Sequence, residues 1–303
     1  AADPAVGLVR EFEITGSLYG RYEVPLGEVE DISLSRGMMA DCGGVWLLLS
    51  RGYVYRRNDP TKEFNEAPNT VLTRTHLTTE IRRFTLTPPA KAAICAPTGA
   101  DLDIYGSNSK VYGEDYPAVA YLRNTGTPTL QGTITGGSQL IPASGLDPVP
   151  TAEEAFGIPA VFGDLSKDDL RSLSDVIVET SLDFPSPMAK NTIVFADCSL
   201  TFNNDRPLKL NNGAGILIVD GNLYINAGIN PCYFTGFIYV TGNVYIYATS
   251  VVRGQIVAKG RYYQYSASDA VEVEYDEGAI EALLAEIGQY RFSRTTTNPH
   301  EKD

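Results

Sequence analysis

The sequence predicts a mainly β protein: a β-helix (β-solenoid) joined to an N-terminal antiparallel β-domain, with few short helices. Three observations predict it. Four segments, TIVFADCSLTF, GILIVDGNLYI, GFIYVTGNVYI and GQIVAKGRYYQ, repeat one pattern between Asn191 and Tyr265. Each copy holds two alternating apolar runs around a polar-Gly corner, which is how a strand, a bend and a second strand are written in sequence. The composition of 28 Gly, 18 Pro and 18 Tyr is turn-rich and β-rich, and 43% hydrophobic content makes the chain globular.

The copies align on Cys198, Gly221, Gly242 and Gly260 with starts at Ile193, Ile216, Phe237 and Gln255, a solenoid-like period of about two dozen residues that shortens along the chain. One face then stacks Val194, Ala196, Leu200 and Phe202 over Leu217, Val219, Leu223 and Ile225. Ile238, Val240, Val244 and Ile246 follow, then Ile256, Ala258, Tyr262 and Gln264. Such ladders are buried only when neighbouring rungs are present. The opposite face carries two more columns, Phe195, Ile218, Tyr239 and Val257, and Thr201, Tyr224, Tyr245 and Tyr263. These are too apolar for a solvated surface. Either another part of the chain, most simply the C-terminal helix, covers them, or they form an aromatic ladder for a partner.

Ahead of the repeats, residues 1–88 read as one antiparallel domain. REFEITGSLYGRYEVPLGEVEDISL, GVWLLLSRGYVYRR and TVLTRTHLTTEIRRFTLT are long alternating runs, separated by the polar loop NDPTKEFNEAPN and closed by Pro88-Pro89. Residues 89–290 form the β-helix domain, with a first coil near AAICAPTGADLDIYG and an insertion at about 107–190 rich in Gly and Pro. Inside the insertion, Ser166 to Glu179 starts with Ser-Lys-Asp-Asp and spaces Leu170, Leu173, Val176 and Ile177 as a short capped helix does. Asp276-Glu277-Gly278 precedes AIEALLAEIGQY, an amphipathic helix with Ile280, Leu283, Leu284 and Ile287 on one stripe. Residues 291–303 read as a flexible tail.

The chain has 303 residues, enough for two domains, and a net charge of −13, which argues against broad attraction to nucleic acid or anionic membrane. Cys42, Cys95, Cys198 and Cys232 are too widely spread for a zinc module; two disulfides and four buried thiols explain them equally well. No run of roughly 18 apolar residues occurs, the length that a membrane-crossing helix needs. No signal peptide is present, and the start at Ala1-Ala2-Asp3 fits a processed product.

No catalytic, cofactor-binding or metal-binding residue is assigned. His76 and His300 are the only histidines, one in a strand and one in the tail. Asp197 and Asp220 align at the corner, but Thr241 and Lys259 follow them, so they read as turn residues and not as an acid–base pair. The acidic groups at Asp101 and Asp103 and at Asp164, Asp168 and Asp169 lack the spacing of a Ca²⁺ loop. Arg51, Arg56, Arg57, Arg82 and Arg83, and Arg253, Lys259 and Arg261 beside Tyr262 and Tyr263, read as ion-paired surface, with single-stranded DNA as the alternative.

The rungs IVDGNLYINAG and YVTGNVYIYATSVVRGQIVAKG, and the early coil CAPTGADLDIYGSNSKVYG before a long insertion, resemble the PilX-like pilus-assembly and minor-pilin proteins of bacteria. The resemblance covers about Ala90 to Glu281; the repeated V-x-G-(N/D)-(L/V)-x-I unit also occurs in bactofilins. It implies a pilin-type sheet carried on a hydrophobic N-terminal helix, a bactofilin-like β-helix, and membrane contact only through that helix, which this sequence lacks. It transfers no catalytic residue. The expected function is a structural or adhesive subunit of a type IV pilus or related secretion filament, extracellular, at the bacterial surface, and not an enzyme. Other pilin subunits are the expected partners, with a surface glycan or protein as ligand. Candidate partner-binding residues are Tyr224, Tyr245, Tyr263 and Tyr239. A carbohydrate-active β-helix and a self-polymerising bactofilin-like scaffold are the alternatives.

Overall fold

Alternation with period two puts every second side chain on one face, so each long alternating run forms a strand. In the computed structural model, which describes residues 2–3, 6–38, 43–142, 149–210, 212–226, 228–247, 249–266, 268–293 and 298–300, strands predominate and helices are few and short. Contacts divide the chain into two units, Ala1–Phe84 with Tyr290–Asp303, and Thr85–Gln289.

In the first unit, Gly7–Thr15, Leu18–Pro25, Val45–Arg56 and Thr70–Arg83 pair antiparallel in that order. Gly20 sits inside a strand because the ring of Phe12 lies across it, where a Cβ would come within 2.5 Å of the ring. On one face Arg21 bridges Glu11 and Glu23 at 2.8 and 2.7 Å and covers the Phe64 ring, while Arg57 stacks on Tyr19. Buried Glu80 is compensated by Arg36 at 2.8 Å and Arg82 at 2.5 Å. The expected flexible tail is corrected in part: Tyr290–Phe292 and Asn298–His300 pair with Thr70–Arg83. That strand otherwise presents an unpaired edge, and chain with extended propensity satisfies it.

In the second unit every described strand pair is parallel. Leu200–Asn203, Leu223–Asn226, Val244–Ile246, Tyr262–Tyr265, Leu102–Tyr105 and Thr129–Leu130 neighbour one another in a six-stranded sheet. A second sheet holds Ile193–Ala196, Gly215–Val219, Cys232–Val240 and Ser250–Ala258. Val194 pairs with Leu217, Leu217 with Ile238 and Ile238 with Ile256. On the other sheet Phe202 pairs with Ile225, Ile225 with Ile246 and Ile246 with Gln264. These inward residues are fully or almost fully buried and share one core.

Two devices permit the close stacking, one inside the strands and one at the turn between them. Gly236 and Gly254 have φ of 125° and 122°, and a Cβ there would lie 2.1 and 1.9 Å from the carbonyl oxygen of Gly215 and Gly236 below. At the turn between the two sheets the side chains of Ser199, Asn222 and Asn243 each accept the backbone N–H of the next repeat, from Asn222, Asn243 and Arg261, at 3.0, 2.8 and 2.7 Å. That is why the repeat writes Gly-Asn.

The expected insertion at 107–190 is corrected. Ser109–Tyr112, Val119–Leu122, Thr129–Leu130, Thr133–Thr135 and Ser138–Ile141 are parallel strands that extend the ladder. They lie at its end, with fewer neighbours to pack against, and so carry Thr and Gly in place of Val and Ile. Three helices, Ala152–Phe156, Ile158–Phe162 and Lys167–Leu173, then carry the chain away. The third is shorter than expected, because Val176–Val178 is already a strand paired with Val194–Ala196. The later strands add one after another in parallel until the last of them pair with the first: Ile256 pairs with Ile94, Tyr262 with Leu102 and Val273 with Val111.

Val219 is fully buried between Ala196 and Val240. Val219→Asp leaves an unpaired carboxylate there, costing several kcal/mol, comparable to the whole stability of a domain. Thermal unfolding followed by circular dichroism is expected to show loss of the second unit's transition; a Tm within a few degrees of the parent's would remove Val219 from the interior.

Candidate functional site

Because inward and outward positions alternate, the register that stacks Leu200, Leu223 and Val244 inside also stacks their neighbours outside. On the six-stranded sheet the outward column runs Thr201, Tyr224, Tyr245, Tyr263, Asp103 and Thr129. Two residues along, Asn203 pairs with Asn226, and Tyr265 with Tyr105. The rings of Tyr224 and Tyr245 stack at 5.1 Å and 9° between planes, and those of Tyr245 and Tyr247 at 6.2 Å and 3°. Tyr263 lies 5.6 Å from Tyr247 and 5.7 Å from Tyr105. The result is a continuous tyrosine strip, with Tyr247 and Tyr265 more than two-fifths exposed.

Its charges are neutralised locally. Arg261 lies 2.5 Å from Asp103 and 5.7 Å from the centroid of the Tyr263 ring, and the Tyr105 hydroxyl donates to the other Asp103 oxygen at 3.2 Å. Burial pushes the Tyr263 phenol up, and the neighbouring phenols and Asp103 push it further. The phenol is uncharged at neutral pH.

Tyr239, named with Tyr224, Tyr245 and Tyr263 as a binding candidate, is corrected. It is fully buried; its hydroxyl donates to the Phe156 carbonyl at 2.7 Å, and the Phe162 ring stands edge-on at 5.1 Å. Phe195, Ile218 and Val257 in its column are buried too. The cover over Tyr239 comes from the helices at 152–162, not from the C-terminal helix. That helix, Glu277–Ile287, is capped by Asp276 and buries Ile280 and Leu283.

Asp197 and Asp220 hold the cover down. Lys167 lies 2.8 Å from Asp197 and 2.5 Å from Asp220, and Arg171 adds a contact to Asp197 at 3.4 Å. The Thr241 hydroxyl donates to Asp220 at 2.9 Å, and Lys259, next in the column, pairs with Glu153 at 2.5 Å. Thus the corner column is an ion-paired seam. Arg253 likewise pairs with Glu274 at 3.2 Å, and Arg51 pairs with Glu28.

Cys95, Cys198 and Cys232 are free thiols. Burial pushes Cys95 up to about 12 and Cys232 up to about 11, so both stay protonated. Cys42 lies outside the described residues. The backbone register places His300 opposite His76, a proximity that reading the end of the chain as a tail had missed. Among the described residues no group of three or more His, Cys, Asp or Glu gathers as metal ligands would, and no helix is long and apolar enough to cross a membrane.

No family model matches the chain, and no curated protein matches it. Among solved structures it is similar to the competence-associated pilin ComZ from Thermus thermophilus, with 12% identity and a TM-score of 0.25 over 94% of this chain and 85% of that one.

The seam sets a pH dependence. Burial raises the Asp220 carboxyl, but hydrogen bonds from Lys167 and Thr241 and the charges of Lys167 and Lys259 outweigh it and hold the group below 3.8. Its contribution is present above the unfolded pKa and is lost as pH falls through the folded one. Lys167 is shifted up by its hydrogen bonds to both carboxylates, so its contribution is present below the ordinary lysine pKa and is lost only as pH rises through the folded value. Amide protection factors in 152–173, corrected for the intrinsic pH dependence of exchange, are therefore expected to fall toward about pH 3, and Asp220→Asn to lower them at neutral pH and make them less pH-dependent. Equal protection in both proteins at both pH values would mean that apolar contacts alone hold the helices.

Proposed function

We propose that this chain is a minor-pilin-like structural and adhesive subunit of a bacterial type IV pilus or related secretion filament. It seats its antiparallel sheet against an apolar filament core and displays the parallel-strand unit, wound as a β-solenoid, at the cell surface. One observation carries the reading. On the sheet face opposite the Glu11–Arg21–Glu23 network, Leu8, Phe12 and Leu77 are 51%, 49% and 37% exposed, with Arg10 between the first two, and Ile14 at the adjoining bulge is 49% exposed. An antiparallel sheet with one solvated face is normally polar on that face, and large apolar side chains exposed together on one face mark an interaction site. The family resemblance supplies the occupant's chemistry, since a pilin-type sheet is carried on a hydrophobic helix. Other pilin subunits are the partners of this face.

The solenoid reading is supported by two sheets sharing one register, by the stacked Gly corners and by the common core. A binding role in place of catalysis is supported by the fate of the aligned carboxylates, which are spent on Lys167 and Arg171.

Filaments sheared from the source bacterium and probed with an antibody to this chain are expected to contain it. Leu8→Ser with Ile14→Ser removes about 2 kcal/mol or more of docking free energy. That is expected to lower the incorporated fraction more than tenfold while leaving Tm near the parent's. A chain absent from the filament fraction, or a variant incorporated like the parent, would overturn this reading.

A further inference from the structure

Resting on the display role above, we propose that the tyrosine strip is a binding site for a linear, uncharged, β-linked polysaccharide lying along the stack of rungs.

The first ground is size. Tyr224, Tyr245, Tyr247, Tyr263, Tyr265 and Tyr105 occupy four successive rungs of the six-stranded sheet. With rungs about 4.8 Å apart and residues about 3.3 Å apart along each strand, four rungs by three residues present about 200 Å². A specific protein interface needs about 800 Å² per partner, so the strip is too narrow for a second copy or a globular partner. It is long enough for a single extended polymer. One pyranose residue in an extended β-linked chain advances nearly as far as one rung, so successive sugars meet successive tyrosines without loss of phase.

The second ground is chemistry. Tyr224 and Tyr245 cover each other's faces, so a pyranose lying along the stack sets its C–H groups against the ring edges there, and its hydroxyls pair with phenol groups and amides. A tyrosine offers both an apolar body and a polar tip at low entropic cost. Beyond Tyr224, exposed Asn226 and Asn203 continue the outer column with amides.

The third ground is charge. The chain carries −13, and the cation touching the strip, Arg261, is neutralised by Asp103. A polyanion would meet no phosphate-binding groove and a repulsive field, which disfavours single-stranded nucleic acid and acidic glycans. A neutral polymer pays neither cost.

Affinity electrophoresis of the purified chain through gels containing hydroxyethyl cellulose, β-glucan, glucomannan or xylan tests the proposal, with alginate and oligo(dT) as polyanion controls. At least one neutral polymer is expected to retard the parent. Tyr245→Ser with Tyr247→Ser is expected to weaken that retardation roughly tenfold or more. Tyr245→Phe with Tyr247→Phe, which keeps both rings and with them the cross-strand packing, is expected to retain most of it. Circular dichroism checks that the variants fold; should the serine variant not fold, a change in tyrosine fluorescence of the parent on adding the retarding polymer's oligosaccharide supplies the same decision. Retardation by no neutral polymer, equal retardation of parent and folded serine variant, no fluorescence change where that measurement decides, or preference for alginate or oligo(dT) would overturn the proposal. A chain that still enters filaments but binds no neutral glycan would refute this inference alone; one that binds glycan but never enters filaments would refute the pilus reading alone.

Discussion

The constraint on which the second unit depends is that each interior strand lends its backbone N–H and C=O groups to two neighbours in fixed parallel register. Side chains alternate with period two, so a slip of one residue would turn every inward Val, Leu and Ile to solvent and every outward residue into the core. Burial of Leu217, Ile238 and Ile256 therefore fixes the register. The outward columns are aligned as a by-product. Tyr224, Tyr245 and Tyr263 are neighbours because Leu223, Val244 and Tyr262 must be.

That constraint also explains the chain path. The first rungs, from Ile94 to Ile141, grow away from a side that stays open until Ser250–Glu274 arrives to pair with it. After Ile141 the chain has to travel back across the ladder before it can fill the gap. It makes the crossing as helices, and the crossing covers a sheet face whose outward column is apolar. Phe156 and Phe162 meet Tyr239 there, and Lys167 reaches two corner carboxylates. Pairing between Ile94 and Ile256 is far apart in sequence, and such contacts are formed late and slowly.

Much of this was legible in sequence where many rungs repeat and little where one rung stands alone. The inward ladder could be read because four copies agree, and the Gly corner because three of them carry it, at Gly221, Gly242 and Gly260. Ser109–Ile141 looked like an excursion because terminal rungs are exposed and spell TGTPTLQGTITGG where interior ones spell GILIVDG. The two helices at 152–162 left a signal that went unread: Thr151 and Glu154 form a capping box, and Gly163 closes the second helix. Tyr239 was misplaced for a different reason. Alternation tells which face a residue is on but not what lies over that face, and no local pattern announces that Phe162 will return to it. The same limit applies to the end of the chain, where pairing of Tyr290–Phe292 is decided by an edge strand more than two hundred residues earlier.

The two outward faces end up with opposite chemistry for one reason. Where helices return, the column is Phe195, Ile218, Tyr239 and Val257, and the adjoining corner offers Asp197 and Asp220 to Lys167. Apolar contact and ion pairing both need a second surface, and the crossing segment supplies it. Where none of the described helices returns, the column is Thr201, Tyr224, Tyr245 and Tyr263, and the adjoining corner is Ser199, Asn222 and Asn243, whose side chains are consumed by backbone N–H groups. A residue on that face has to pack against its cross-strand neighbour and remain wetted at its tip, which tyrosine does and phenylalanine or valine does not. The acidic surplus of the chain is thereby spent elsewhere, and the strip remains apolar along its rings, hydroxylated at its rim and almost uncharged.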